Sequence, residues 1–182
     1  MTSGGIPIHY VCTHEQARDL VDSHTRFWVS NCGCREGRAG CARSRIDVCL
    51  MFSGDSEASG TGKKEIDARG AQAILEEARD KKLVARPFRD DARCGTEGIC
   101  FCCDDCCGYF LNPEEKCDKG ELVAETDLEA CTDCGACTDL CHFQARSMDA
   151  QGKLAVDAEA CYGCGLCRTA CPEDCIQMVE RT

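Results

Sequence analysis

The chain has 182 residues, 21 of them cysteine, and a formal net charge of −11. Apolar residues make up 43% with cysteine counted among them, and so little aliphatic carbon beside so much charge leaves a chain disordered unless disulfides or metal hold it. Composition therefore excludes a large hydrophobic enzyme core, a coiled coil and a membrane span, and the acidity argues against nonspecific nucleic-acid binding.

The opening MTSGGIPIHYV has neither a basic stretch nor a long apolar run of the secretory kind, which predicts a cytoplasmic protein. In a reducing compartment an odd cysteine count reads as metal ligation rather than a closed disulfide set.

Thr13-His-Glu-Gln16 has the form of a capping box, and Ala17, Leu20, Val21, His24 and Phe27-Trp28 follow at helical spacing. This predicts a helix over 14–28, with 29–32 as a short strand or exit turn. Residues 53–64 (SGDSEASGTGKK) read as a glycine- and serine-rich loop. Gly60-Thr-Gly62-Lys63 is a poor phosphate loop, because Lys64 stands at the Ser/Thr position and no apolar strand precedes it. Ile66, Ala71, Ile74, Leu75 and Ala78 form an apolar stripe that predicts a helix over 65–82, and residues 83–88 (LVARPF) predict a strand. Helix, turn and strand of this kind resemble part of a winged-helix unit. The charge does not support DNA binding, so the preferred reading is a small packing scaffold.

Two cysteine groups flank that scaffold. The first is Cys32, Cys34, Cys41 and Cys49; the second is the run ICFCCDDCC, with Cys100, Cys102, Cys103, Cys106 and Cys107. Four thiolates of the first group suffice for one cube, and the second could supply another, or the two could share ligands across the scaffold. Adjacent cysteines such as Cys102 and Cys103 diverge, so each pair should give at most one ligand to a given cluster. Arg35, Arg38, Arg43 and Arg45 accompany the first group and would offset the charge of a cluster. Zinc is the alternative, since a four-cysteine zinc site would stabilise a small domain equally well. Cys12, Cys94 and Cys117 stand alone and read as ordinary thiols, and His9, His14 and His24 show no ligand-like pairing.

An internal repeat organises the rest. Asp127-Leu-Glu129-Ala130-Cys131 recurs as Asp157-Ala-Glu159-Ala160-Cys161, and each copy runs on into a cysteine ladder. The ladders are Cys131, Cys134, Cys137, Cys141 and Cys161, Cys164, Cys167, Cys171, the second followed by Pro172. Three thiolates at i, i+3 and i+6 can grip three corners of one iron–sulfur cube while the fourth reaches the opposite cube. One cluster is therefore assigned to Cys131, Cys134, Cys137 and Cys171, the other to Cys161, Cys164, Cys167 and Cys141. His142 replaces the proline expected after the first ladder: it is either a hydrogen-bond donor to a cluster sulfur or a surface residue at a helix start. Cys175 stands where the first half has Ala145, and is either a small buried thiol or a spare ligand.

Residues 121–182 resemble the bacterial two-cluster ferredoxin. That resemblance implies a pseudo-twofold pair of short hairpins and helices wrapped around two [4Fe-4S] clusters. Residues 10–112, through CGCR, CLMF and ICFCCDDCC, resemble the upstream part of multi-cluster iron–sulfur ferredoxin-like proteins of anaerobes, and bring no catalytic residues with them. The expected fold is α+β, with a cysteine-rich domain over 1–115 and a ferredoxin-like domain over 116–182. The N-terminal domain is expected to hold one or two further [4Fe-4S] clusters.

The leading functional expectation is low-potential electron transfer, as a carrier or subunit delivering single electrons to a partner redox enzyme. Residues 121–182 hold 12 acidic and 4 basic side chains, which would steer docking onto a basic partner face. The alternatives are a redox enzyme that reduces substrate at an N-terminal cluster, and an iron or redox sensor on DNA. The sensor would need a basic stripe, and the chain offers only Arg35 to Arg45.

Overall fold

The computed structural model describes residues 5–57, 60–112 and 115–181. In chain order the elements are β1 (His9–Tyr10), α1 (His14–Asp22), β2 (Phe27–Ser30), α2 (Gly33–Gly37), β3 (Cys49–Met51), β4 (Lys64–Ile66), α3 (Ala68–Asp80), β5 (Val84–Arg89), β6 (Thr96–Cys102), α4 (Gly108–Leu111) and β7 (Cys117–Asp118). Then come β8 (Leu122–Thr126), β9 (Arg146–Met148), β10 (Leu154–Val156), α5 (Leu166–Ala170) and β11 (Ile176–Glu180). Strands and helices are mixed throughout.

The capping box forms. Thr13 Oγ1 accepts from the Gln16 amide at 3.2 Å, and Gln16 Oε1 accepts from the Thr13 amide at 3.0 Å. The helix it opens is shorter than expected and closes at Ser23, whose amide donates back to Asp19 and Val21. Phe27-Trp-Val29 then alternates across a strand: Phe27 and Val29 pack in the main core while Trp28 lies on the other face. The second helix also starts late. Asp67 caps α3 by accepting from the Gly70 amide at 2.7 Å, which leaves Lys64–Ile66 free to pair with β2. In the loop before it the Lys63 ammonium is taken up by the carbonyls of Gly54 and Ser56; residues 58–59 of that loop lie outside the described residues.

Seven strands form one sheet in the order β4-β2-β3-β6-β5-β1-β7, antiparallel except for the β1–β7 pair. The helix–strand unit of the sequence reading is present as α3 and β5. The hairpin β5–β6 that follows is no free wing, since β1 flanks one strand and β3 the other. Helices α1 and α3 cover one face, where Ala17, Val21, Ala71, Ile74, Leu75 and Ala78 meet Leu50, Ala85, Ile99 and Phe101. Burying one Leu or Ile side chain there contributes about 1.5–3 kcal/mol. The strand period of two sends Cys49, Met51, Arg86, Phe88, Cys100 and Cys102 to the opposite face. Two small antiparallel sheets, β8–β11 and β9–β10, carry the ladders in the loops between β8 and β9 and between β10 and β11.

Candidate functional site

The repeated Asp-x-Glu-Ala-Cys segments are turn caps. Asp127 Oδ1 accepts from the amides of Glu129 and Ala130 at 2.9 and 3.3 Å, and Asp157 Oδ1 from those of Glu159 and Ala160 at 2.9 and 3.1 Å. Each aspartate thereby aims the first cysteine of its ladder. Asp133 fastens the first ladder to the β9–β10 hairpin, accepting from the Leu154 amide at 2.8 Å and from Lys153 Nζ at 2.7 Å. Gly163 has φ +78°, and its Cα packs so closely on Leu122 that a Cβ would stand 2.1 Å from the Leu122 carbonyl oxygen.

The structure brings Cys131, Cys134 and Cys137 together with Cys171 and Cys175 around one cavity, walled also by Leu154 and Ile176. Cys141 joins Cys161, Cys164 and Cys167 around a second, walled by Ala124, Leu140, Phe143 and Tyr162. Donors point at the sulfurs: the Ala145 amide reaches Cys141 Sγ at 3.2 Å, and Arg146 Nη1 reaches Cys137 Sγ at 3.8 Å. Five thiols around the first cavity and four around the second, with apolar walls and N–H groups on the sulfurs, fit a [4Fe-4S] cluster in each. Burial pushes the Cys164 thiol up to about 12 and raises Cys167, against the pull of Arg146 on the latter. Ligation at these positions would therefore release protons.

Arg146 was not singled out from sequence, and neither was Arg86. Both are buried guanidiniums on strands, and a lone arginine inside an apolar run such as LVARPF was the available signal. Arg86 Nη1 donates to Cys107 Sγ at 3.3 Å and lies 3.7 Å from Cys102 Sγ, while Nη2 donates to Glu115 Oε1 at 2.7 Å. Its guanidinium carbon sits 4.2 Å from the Tyr109 ring centroid. Burial works against its charge, yet the thiols of Cys102, Cys117 and Cys107 and the Glu115 carboxylate hold its pKa above the ordinary arginine value.

The N-terminal thiols do not gather as the two groups of the sequence. The free thiol of Cys34 lies within hydrogen-bonding reach of Cys107 and Cys32, and that of Cys107 within reach of Cys102, making a string of four next to Arg86. The Gly108 amide adds a bond to Cys34 Sγ at 3.4 Å. Cys41 instead meets Cys103 and Cys106, and Cys49 meets Cys100. Thiols of the two groups thus mix across the scaffold, and Cys32, Cys34, Cys41 and Cys49 do not come together as one set. The reason is alternation: Phe101 and Cys103 face the helices and Cys102 faces away, so each adjacent pair divides between the two groups.

Of the arginines beside the first group, only Arg35 is buried. Arg43 pairs with Asp104 at 2.8 Å, and Arg45 with Glu77 at 2.9 Å. His142 is neither at the surface nor on a cluster sulfur. Its ring is buried against Phe110, with Nδ1 3.6 Å from Asp104 and Nε2 3.5 Å from the Lys82 carbonyl, and so joins the first ladder to the N-terminal sheet. Cys12 is buried, Cys94 is exposed and Cys117 is half-buried. His14 and His24 are occupied by the carbonyls of Leu83 and Leu20 at 2.9 and 2.7 Å. His9 Nε2 lies 3.8 Å from Cys100 Sγ.

Compared with known families, residues 124–178 match the model of the 4Fe-4S dicluster domain. The match supports [4Fe-4S] clusters in the C-terminal region and iron–sulfur electron transfer as its general chemistry. No curated protein matches the chain. Among the described residues no helix is long and apolar enough to cross a membrane.

Proposed function

We propose that the protein transfers single electrons at low potential through two [4Fe-4S] clusters in residues 116–182 and a further cluster in residues 1–115, passing them to a partner redox protein. Cys131, Cys134, Cys137 and Cys171 would hold one C-terminal cluster, and Cys161, Cys164, Cys167 and Cys141 the other. Cys32, Cys34, Cys102 and Cys107 would hold the N-terminal one. Bound clusters supply the one-electron chemistry; the chain excludes water from them, aims N–H groups at their sulfurs and sets their charge environment.

The observation that carries this reading is a shared apolar cluster. Cys102 and Cys107 pack in the same group as Val11, Val84 and Leu166, and Cys164 of the second cavity packs against it with Tyr109, Phe143 and Tyr162. Phe143 and Tyr162 stack with centroids 4.4 Å apart, and Tyr109 stands 6.2 Å from Tyr162. No water-filled gap need separate the two centres, and no proton chemistry is required. The acidic face of the C-terminal third would present the chain to a basic partner surface.

The test is iron and acid-labile sulfide per chain, on protein purified without oxygen. About 12 iron per chain is expected, falling to about 8 in Cys107→Ser. A wild-type value of about 8, unchanged in that variant, would remove the N-terminal cluster; zinc with almost no iron would sink the whole reading.

A further inference from the structure

Three sulfurs of the N-terminal part stand closer together than a cluster requires. Cys103 Sγ lies 3.6 Å from both Cys41 Sγ and Cys106 Sγ, and all three fall within 4.8 Å of one another. Among the described residues no other three ligand-type side chains gather so tightly, and that includes the ladder cysteines around their cavities. Sulfurs bound at about 2.3 Å to one tetrahedral zinc ion are about 3.8 Å apart. Around a cube each sulfur holds a different iron, so the sulfurs stand wider. The spacing at Cys41, Cys103 and Cys106 is that of one ion.

Charge leads to the same place. Arg35 is 1% exposed. It donates to the carbonyls of Arg45 and Phe101, while its Nε has no partner. Its electrostatic neighbours are thiols: a side-chain bond to Cys106, then Cys32 and Cys41. A guanidinium this deeply buried is costly without an anion. Three thiolates around a divalent ion carry one net negative charge, which Arg35 balances. Three neutral thiols would leave it uncompensated.

We propose that Cys41, Cys103 and Cys106 bind a single zinc ion, with an oxygen ligand in the fourth position. Asp105 stands at that side, its carboxylate beside Cys41 and accepting from the Ala42 amide at 2.9 Å. The ion fastens the loop between α2 and β3 to the turn after β6, a stretch of chain with few strand bonds of its own. The proposal does not depend on the electron-transfer reading, because the four-thiol string beside Arg86 uses none of these three cysteines.

The test is zinc measured alongside iron in the full chain. About one zinc per chain is expected in the wild type. Cys41→Ser and Cys106→Ser should each lower it several-fold and leave iron and visible absorbance unchanged. Cys41 is half-buried, so its variant keeps the fold; as an independent readout, cobalt added to zinc-depleted wild type should give tetrahedral d–d and thiolate charge-transfer bands that zinc alone displaces. Absence of zinc, with about four iron lost in Cys41→Ser, would overturn the proposal by placing a cluster there. Full zinc in both variants, or no cobalt bands, would also overturn it. Failure of the electron-transfer reading would show in iron and not in zinc.

Discussion

Cys175 Sγ lies 3.4 Å from Cys171 Sγ, inside the cavity that also collects Cys131, Cys134 and Cys137. Burial and the bond to Cys171 push the Cys175 thiol up to about 12. At Cys171 burial also raises the thiol, yet the side chain and amide of Cys175 outweigh it and hold it below the ordinary value. The two shifts run in opposite directions, which favours the shared proton on Cys175. Cys171→Ser should therefore keep most of its iron, with Cys175 taking over, but change the spectrum of the first-ladder cluster. The double variant with Cys175→Ser should lose about four iron per chain. If Cys171→Ser alters only the signal of the second-ladder cluster, the interleaved assignment fails.

Arg86 sets the charge around Cys102 and Cys107, and Arg86→Met removes two N–H···S contacts and a buried cation at once. The more negative oxidised-to-reduced step then becomes harder. A differential of about 1.4 kcal/mol is about 60 mV for one electron. A drop of that size in the N-terminal centre's potential is expected in an EPR-monitored redox titration, with the ladder clusters unmoved.

Two glycines with similar φ make a controlled pair. Gly152, at φ +72°, has no atom within 4 Å of an added Cβ, whereas Gly163, at φ +78°, would press one onto the Leu122 carbonyl. Gly152→Ala should cost about 1–2 kcal/mol, the strain of a left-handed residue alone. Gly163→Ala should add about 1–3 kcal/mol of overpacking and lower the iron retained by the second ladder. Denaturation midpoints and iron counts on the two variants check this.

His9 provides an acid-sensitive term. Burial first, and the charge of Arg86 second, lower its pKa from 6.5 to about 4, with Cys34 opposing. Between these values the unfolded chain binds the extra proton, so stability rises with pH across the window and is fully present above 6.5. From pH 7.5 to pH 5 the wild type should lose about 2 kcal/mol more than His9→Gln. Denaturant midpoints at the two pH values measure it, and equal losses would show that His9 is not the group responsible.

The C-terminal third was legible because its signals are local. Ligand spacing at i, i+3 and i+6, an aspartate two residues before an amide it caps, and a repeat of the same segment all act over a few residues, and the ladder cavities follow from them. The element boundaries were less legible: a cap at Asp67 and a closure at Ser23 shortened both helices, and strand pairing claimed Lys64–Ile66 and Phe27–Ser30. The chain alone also determined that Cys102 and Cys103 must part, since that follows from the period of a strand. Which partner each would meet was decided only by tertiary structure. Cys41 reaches Cys103 across 62 residues and Cys34 reaches the Gly108 turn across 74, because a seven-stranded sheet sets its two faces against different segments. The burial of Arg35 and Arg86 belongs to the same category: spacing shows a guanidinium near cysteines, but only the packed sheet removes water from it and makes its charge count.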